Sequence, residues 1–356
     1  MSTVTDDVIA LPAKPSGGTV EDNGIKRDRW GRYVLPHPET GEEQGWTRAT
    51  TWAKTISDTF KIHQWQERMT AKGLVLRPDL YALVGTTDDK HELNRICEEA
   101  KQAAGSKVGA NLGTAVHNYT EQLDMGVEFR SIGVPSTIAA DVISYGEMMT
   151  AHGFVPIRDM IERVILNTKL GVAGRLDRIL TNTRPVGRWT EPGAMFIGDV
   201  KTAANIGYSW LEVSIQLAIY ANADYFWNIE TKTYEPVPPL DLKEAIVMHV
   251  PVQQGEATAY RVDIEMGWKY AELAGLVRQA RADKKLAVRL GETIMSRPVV
   301  EAVQTDMPRE LDIRARIDDA TCVQDLSDIW AYAQPRGLWT PELEAYGLQK
   351  AEDLRG

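Results

Sequence analysis

The chain has 356 residues, 43% of them hydrophobic, and a formal net charge of −10. This size allows one large domain with a full core and small appendages. No apolar run approaches the roughly 20 residues needed to cross a bilayer, so we expect no membrane partner. The two cysteines, Cys97 and Cys322, are too few for a four-thiolate cluster and favour a reducing, cytoplasmic setting.

The first 23 residues are predicted to form a disordered leader. They contain Pro and Gly together with Asp6 and Asp7, and no basic segment precedes an apolar stretch. We therefore expect no secretory signal in this segment.

The charge is unevenly distributed along the chain. Residues 151–205 contain eight Lys or Arg and five Asp or Glu, so this segment carries +3 and the rest carries −13. A second group of cations, the N-terminal basic cluster, consists of Lys26, Arg27, Arg29 and Arg32. Because nucleic-acid binding depends on local neutralisation of phosphates, the net charge argues neither for nor against DNA as a partner.

Trp30 and Tyr33 lie within and beside the N-terminal basic cluster. Aromatic rings among arginines can stack on unpaired bases, so both residues are candidates for DNA contact. Packing inside the fold is the alternative interpretation.

Residues 24–106 are predicted to be mainly helical. Asp88 or Asp89 is expected to cap a helix, because a short carboxylate side chain accepts hydrogen bonds from the first backbone N–H groups. In chain order, the predicted elements up to residue 152 are a hairpin or strand at 24–34 and helices at 50–72, 88–104, 107–124 and 136–152.

Short β-branched and alternating segments become frequent after residue 160. In chain order, the predicted elements are a hairpin formed by 161–166 and 172–180, a strand at 194–202, a helix at 208–227, strands at 244–252 and 257–264, and a helix at 266–290. This order predicts an α/β (α+β) fold with a mixed central sheet flanked by helices. The apolar pattern after residue 305 predicts a separate small helical module at 306–356.

The strand at 194–202 carries Asp199 and Lys201 within an apolar sequence. Charged residues in a buried strand cost free energy. Their spacing of two places both side chains on one face of the strand. Taken alone, the pair is interpreted as a satisfied ion pair.

Asp177 changes that interpretation. It follows a run of small residues, 171–174, which lets another chain or a phosphate approach closely. If the strands of Asp177 and Asp199 are neighbours, the two carboxylates can converge on a hard divalent cation. Lys201 beside them can orient or deprotonate an attacking water and offset charge on phosphate oxygens. The residues outline a phosphodiester hydrolysis site.

Five short motifs follow one another between residues 107 and 264: Gly113-x-x-x-His117, Glu162, Asp177, Asp199-Val200-Lys201 and Gln216-x-x-x-Tyr220. In this order they resemble the PD-(D/E)XK nuclease superfamily, and more narrowly its RecB-like exonucleases, which include phage and CRISPR-associated members. The resemblance implies a restriction-endonuclease-like core, which we assign to residues 107–295.

The resemblance implies one set of metal ligands: His117, Asp177, Asp199 and the carbonyl oxygen of Val200. The expected cofactor is one or two Mg²⁺ or Mn²⁺ ions. Glu162 falls where the family often has a glutamate, and it is either a direct ligand or acts from behind the ligands.

By the same resemblance, Lys201 is the catalytic lysine. Gln216 and Tyr220 are four residues apart and so share a helix face, from which they hold Lys201 or a DNA phosphate. Several relatives bind an iron–sulfur cluster through four cysteines. This chain departs from that pattern, and no cluster is expected.

The function implied is a metal-dependent DNA exonuclease of recombination or repair, of phage or bacterial type, acting in the cytoplasm of the cell or bacterial host. The expected partner is linear duplex or single-stranded DNA; a recombination partner protein and an oligomer are left open. The alternatives are a structure-specific or restriction-like endonuclease, a non-catalytic DNA-binding or assembly module, and a protein-interaction scaffold.

Overall fold

The computed structural model describes residues 21–22, 24–287, 289–290 and 309–355. Apart from 21–22, the predicted leader at 1–23 therefore lies outside the described residues. The chain divides into two compact units between Asp283 and Lys284. Across the described ranges, no helix is long and apolar enough to span a membrane.

Helices form most of the first unit before residue 153. The helices of this unit are α1 (Ala49–Ala53), α2 (Phe60–Leu76), α3 (Pro78–Val84), α4 (Lys90–Ala103), α5 (Val108–Asp124), α6 (Phe129–Ile132), α7 (Ser136–His152), α8 (Trp210–Ala221) and α9 (Ile264–Ala282). The strands are β1 (Glu21–Asp22), β2 (Ile25–Lys26), β3 (Tyr33–Pro36), β4 (Glu43–Arg48), β5 (Phe154–Pro156), β6 (Val164–Asn167), β7 (Val172–Arg175), β8 (Arg178–Asn182), β9 (Met195–Lys201), β10 (Tyr225–Asn228), β11 (Thr233–Pro236), β12 (Glu244–His249) and β13 (Thr258–Asp263).

The strands form a mixed α/β fold with two mixed sheets, where the sequence indicated one. The six-stranded sheet has the order β11-β10-β6-β7-β4-β3, and the five-stranded sheet has the order β13-β12-β9-β8-β5. The pairs β4–β7 and β12–β9 are parallel, and the other pairs in these two sheets are antiparallel. β1 and β2 pair separately.

The predicted strand at 172–180 is wrong as a single element. β7 ends at Arg175 and belongs to the six-stranded sheet, whereas β8 begins at Arg178 and belongs to the five-stranded sheet. Leu176 and Asp177 form the bend between them. Apolar and polar residues go on alternating through the bend, so the sequence pattern does not reveal that the chain passes from one sheet to the other.

Other predicted elements match in part. The helix at 136–152 is confirmed, and Asp89 caps α4 by accepting hydrogen bonds from the backbone N–H groups of the two residues at 91 and 92. The helix at 50–72 is wrong as one element, because a 3-10 turn and three non-helical residues separate α1 from α2. The helix at 208–227 ends at Ala221, and its last residues form β10 instead.

Helices cover both faces of the five-stranded sheet. Side chains alternate between the faces of a strand. On β9, Ile197 packs with apolar residues of α8 and α9, whereas Phe196 and Val200 pack with residues of α5 and α7. Asp199 and Lys201 therefore lie on the face that α8 covers.

The second unit is helical where it is described. Its helices are α10 (Arg309–Asp319), α11 (Val323–Ala333) and α12 (Pro341–Asp353). They enclose a small core of their own, which includes Ile313, Ile317, Leu326 and Leu343.

Candidate metal centre

Three predicted site residues converge where the two sheets meet. Asp177 lies in the bend between β7 and β8, Glu162 precedes β6, and His117 lies on α5. One ligand atom from each of these three side chains lies within 4.8 Å of the other two. An imidazole nitrogen and two carboxylate oxygens at this spacing are a ligand set that a divalent cation can use. We call these three residues the acidic cluster.

Asp177 is the centre of the acidic cluster. Its Oδ2 accepts hydrogen bonds from Nε2 of His117, at 2.9 Å, and from the backbone N–H of Val200, at 2.8 Å. Burial by itself would raise the pKa of Asp177, but the charge and hydrogen bond of His117 and the charge of Lys201 hold that pKa well below its usual range. Asp177 is therefore a carboxylate at neutral pH.

Glu162 is held beside Asp177 by a strained backbone. Its φ of 53° is left-handed, a conformation that non-glycine residues seldom adopt and that often marks functional sites. The backbone N–H of Glu162 donates to the backbone oxygen of Asp177 at 2.9 Å. Burial, and then the charge of Asp177, raise the pKa of Glu162 to about 7. Without a cation, the two carboxylates repel each other.

His117 completes the cluster from the other side. Its Nδ1 lies 3.9 Å from Oε1 of Glu162. The charge of Asp177 raises the pKa of His117 more than burial lowers it. A metal ligand must give up this proton, so cation binding and protonation of His117 compete.

Gly113 explains how α5 approaches the strands closely enough to place His117. A Cβ atom at Gly113 would lie 2.4 Å from Oγ1 of Thr202, directly after β9. Only a residue without a side chain fits this contact unless Thr202 moves. Close packing against Thr202 therefore explains why a glycine occupies the first position of the Gly-x-x-x-His motif.

Asp199 and Lys201 form an ion pair next to the acidic cluster, with Nζ 2.5 Å from Oδ2. Among the described residues, neither oxygen of Asp199 accepts a well-formed hydrogen bond, although its side chain is only 1% exposed. Burial raises the pKa of Asp199 to about 6 despite the ammonium beside it. For Lys201, the charges of Asp199 and Asp177 outweigh burial and raise the pKa.

The predicted metal ligands do not all belong to the acidic cluster. Asp199 is not one of the three residues whose ligand atoms lie within 4.8 Å of one another, whereas Glu162 is. The contact that the structure shows for Val200 is its backbone N–H on Asp177, and its carbonyl oxygen remains a predicted ligand. The geometry thus gives Glu162 a more direct position than the sequence suggested.

Gln216 and Tyr220 contact each other on α8. Nε2 of Gln216 donates to the hydroxyl oxygen of Tyr220 at 3.1 Å. The Tyr220 ring packs against Gly174 of β7, where an added Cβ would lie 2.6 Å from Cε1 of the ring. Gly174 therefore lets the tyrosine reach the site across the sheet.

The acidic cluster and these two α8 residues line a cleft of about 380 Å³. Three arginines line it too: Arg27, Arg48 and Arg175. Arg48 ends β4 and lies opposite Ala173 of β7. Of the three arginines, Arg27 belongs to the N-terminal basic cluster and Arg175 to the positively charged segment 151–205. Arg48 was missed, because its position at the cleft depends on pairing between the distant strands β4 and β7.

A buried polar network lies behind the bend that carries Asp177. Arg178 is fully buried, forms an ion pair with Asp124 at the end of α5, and donates to Oγ1 of Thr120 at 2.9 Å. The hydroxyl of Tyr145 on α7 donates to Asp124 at 2.8 Å. Burial raises the pKa of Asp124, which the positive charge of Arg178 opposes. These contacts join α5 to β8 and so fix His117 relative to Asp177.

Comparison with known proteins adds no relative: no protein-family model matches the chain, and no curated protein matches it.

Proposed function

We propose that this chain is a metal-dependent deoxyribonuclease that hydrolyses phosphodiester bonds and has a PD-(D/E)XK-type, restriction-endonuclease-like core. The observation that carries the proposal is the convergence of His117, Glu162 and Asp177 in a cleft lined by arginines. A five-stranded sheet with helices on both faces supports the same proposal. The assignment to recombination or repair of DNA, and to an exonuclease of phage or bacterial type, follows from the resemblance.

The acidic cluster fits Mg²⁺ or Mn²⁺. Asp177 is ionised, and burial, followed by the charge of Asp177, raises the pKa of Glu162 to about 7. Hard divalent cations prefer such oxygen ligands and tolerate one imidazole. When bound, the cation would act as a Lewis acid and lower the pKa of a coordinated water.

The other residues bind and orient a phosphodiester. Arg48 and Arg175 bring positive charge to the cleft in which the phosphate would lie. Lys201 remains an ammonium beside Asp199 and offsets negative charge that develops on the phosphate oxygens. The hydrogen bond between Gln216 and Tyr220 keeps the α8 wall of the cleft in one arrangement.

The test is degradation of linear and closed circular DNA by the full chain with Mg²⁺, Mn²⁺ or EDTA. We expect linear DNA to be degraded with either metal and EDTA to stop it. Lys201→Ala should lose activity, because Lys201 is paired with Asp199 and its charge acts on Asp177. Lys169→Ala should keep activity, because Lys169 forms an exposed ion pair with Glu272.

Three results would change the proposal. Cutting of closed circles would indicate an endonuclease. DNA binding without cleavage in either metal would indicate a non-catalytic DNA-binding module. If the chain neither binds nor cleaves DNA, the remaining alternative is a protein-interaction scaffold in which these charges are structural.

A further inference from the structure

The loop between β2 and β3 is built around Asp28. Its Oδ1 accepts the backbone N–H groups of Trp30, at 3.0 Å, and Arg32, at 2.9 Å. Its Oδ2 lies 2.6 Å from Nε of Arg32. Gly31, with a φ of +74°, supplies the left-handed turn. The loop is therefore held in one conformation by its own side chains.

This conformation leaves a large aromatic ring in solvent. Trp30 is 64% exposed, although tryptophan is usually highly buried. The guanidinium carbons of Arg29 and Arg32 lie 4.0 and 4.8 Å from the centroid of its ring. Tyr33, the other aromatic candidate, is only 4% exposed and packs in the fold. The structure thus separates two residues that the sequence treated alike.

The loop starts and ends at the cleft. Arg27 and Tyr33 pair as an antiparallel bridge, and both line the cleft that contains the acidic cluster. Trp30 is three residues from each of them, so its Cα lies within about 10 Å of both. That distance is about three base steps of a nucleic-acid strand, at roughly 3.4 Å each.

We propose that Trp30 is a stacking platform for an unpaired base of the substrate strand, within about three nucleotides of the phosphodiester in the cleft. This inference rests on the proposed nuclease function and adds the substrate class: single-stranded DNA, or a duplex with an unpaired end. A paired base inside a duplex hides its faces, whereas an unpaired base presents them to an aromatic ring. Stacking is independent of base identity. Because the guanidinium groups of Arg29 and Arg32 lie over the ring, a base stacks where a guanidinium moves aside, and the displaced guanidinium can bind a flanking phosphate.

The experiment compares two substrates in Mg²⁺ or Mn²⁺. One is a single-stranded oligodeoxynucleotide, and the other is the p-nitrophenyl ester of thymidine monophosphate, which is too short to reach from the cleft to Trp30. We expect Trp30→Ala to raise KM for the oligonucleotide about tenfold with kcat nearly unchanged. Hydrolysis of the small ester should not change.

Two further variants make the result specific to stacking. Trp30→Phe keeps an aromatic face and should stay within about threefold of the wild-type KM. Trp65→Ala is the matched control, because Trp65 on α2 is also exposed, at 37%, and does not line the cleft. It should behave as wild type.

The failures of the two proposals differ. If wild type degrades the oligonucleotide and Trp30→Ala does so with the same KM, the stacking inference is wrong and the nuclease function stands. If Trp30→Ala slows both substrates equally, the loop acts on the cleft itself and the inference is also wrong. If wild type hydrolyses neither substrate with either metal, the nuclease function fails and the inference fails with it.

Discussion

Two groups of charged residues meet at the bend between β7 and β8, on consecutive residues of the chain. Asp177 belongs to the acidic cluster, which opens into the cleft. Arg178 belongs to the buried network and is paired with Asp124 away from solvent. In the network, the carboxylate has a guanidinium and a tyrosine hydroxyl as partners. In the cluster, His117 lies beside both carboxylates, and Nε of Arg175 lies 4.0 Å from Oε2 of Glu162.

The difference separates a structural role from a binding role. A buried charge needs a partner within the fold, and Asp124 has one. Glu162 lies at the cleft, where burial and then the charge of Asp177 raise its pKa to about 7, and its backbone has a strained, left-handed conformation. Carboxylates that line a cleft can be stabilised further by a bound cation, whereas a buried, paired network is stabilised by the fold itself.

The largest effect on activity should follow a substitution in the acidic cluster. Asp177→Asn keeps the shape of the side chain but removes its charge, so we expect degradation of linear DNA to fall at least about 10⁴-fold, or roughly 5.5 kcal/mol. Asp241→Asn is the control, since this carboxylate accepts hydrogen bonds from Trp189 and backbone groups and does not line the cleft. Near wild-type turnover by Asp177→Asn would remove Asp177 from the catalytic site.

A substitution in the buried network around Arg178 should mainly lower the free energy of unfolding. Arg178→Met leaves Asp124 buried without its cation, so we expect the free energy of unfolding to fall by about 3–5 kcal/mol. Urea denaturation measures this loss. The double variant Arg178→Met/Asp124→Asn should recover part of it, because no unpaired charge remains. A loss below about 1 kcal/mol for the single variant would show that the network is not structural.

The pH dependence of stability should distinguish the two groups further. The pKa of Glu162 is raised from 4.5 to about 7 on folding. Its contribution to stability is therefore full below about pH 4.5 and is lost as pH rises through about 7, up to roughly 3 kcal/mol. A divalent cation should reverse this loss, so the rise in Tm caused by Mn²⁺ should be larger at about pH 8 than at about pH 5.

Glu162→Gln is the matched variant for this measurement. It removes the titrating group, so the metal-free protein should lose less stability across that pH range, and Mn²⁺ should raise Tm less. An equal Mn²⁺ shift at both pH values in wild type would contradict a cation site that includes Glu162.

The smallest effect is expected at the hydrogen bond between the two uncharged side chains of α8, Gln216 and Tyr220. Tyr220→Phe removes the hydroxyl that accepts from Gln216, which should cost about 1 kcal/mol in urea denaturation. Activity should change only a few fold, because the ring still packs against Gly174. Loss of activity comparable to that of Asp177→Asn would instead place the hydroxyl in the chemistry.

The sequence predicted local elements better than their assembly. Helix α7 and the Asp89 cap follow from spacing and from a short side chain at a helix start, both of which are local. β10 was missed because the apolar run from Trp210 to Trp227 fits a buried helix and a buried strand equally well. The bend at Asp177 was missed because a strand keeps its alternation when it passes from one sheet to another.

The candidate site shows the same limit. Asp177, His117 and the pair Asp199–Lys201 could be chosen from motif spacing. The direct position of Glu162 could not, because it depends on a left-handed backbone and on the neighbouring bend. The position of Arg48 at the cleft depends on the parallel pairing of β4 with β7, which joins residues more than a hundred positions apart.

That pairing also limits how the chain can be divided. The segment that carries the five motifs, residues 107–264, contains β7 but not β4, its neighbour in the six-stranded sheet. Cut out alone, it would expose a row of unpaired backbone groups along β7, an edge that invites pairing with other chains. A fragment that keeps this sheet fully paired must therefore be longer than the motif-bearing segment and include the β3–β4 hairpin.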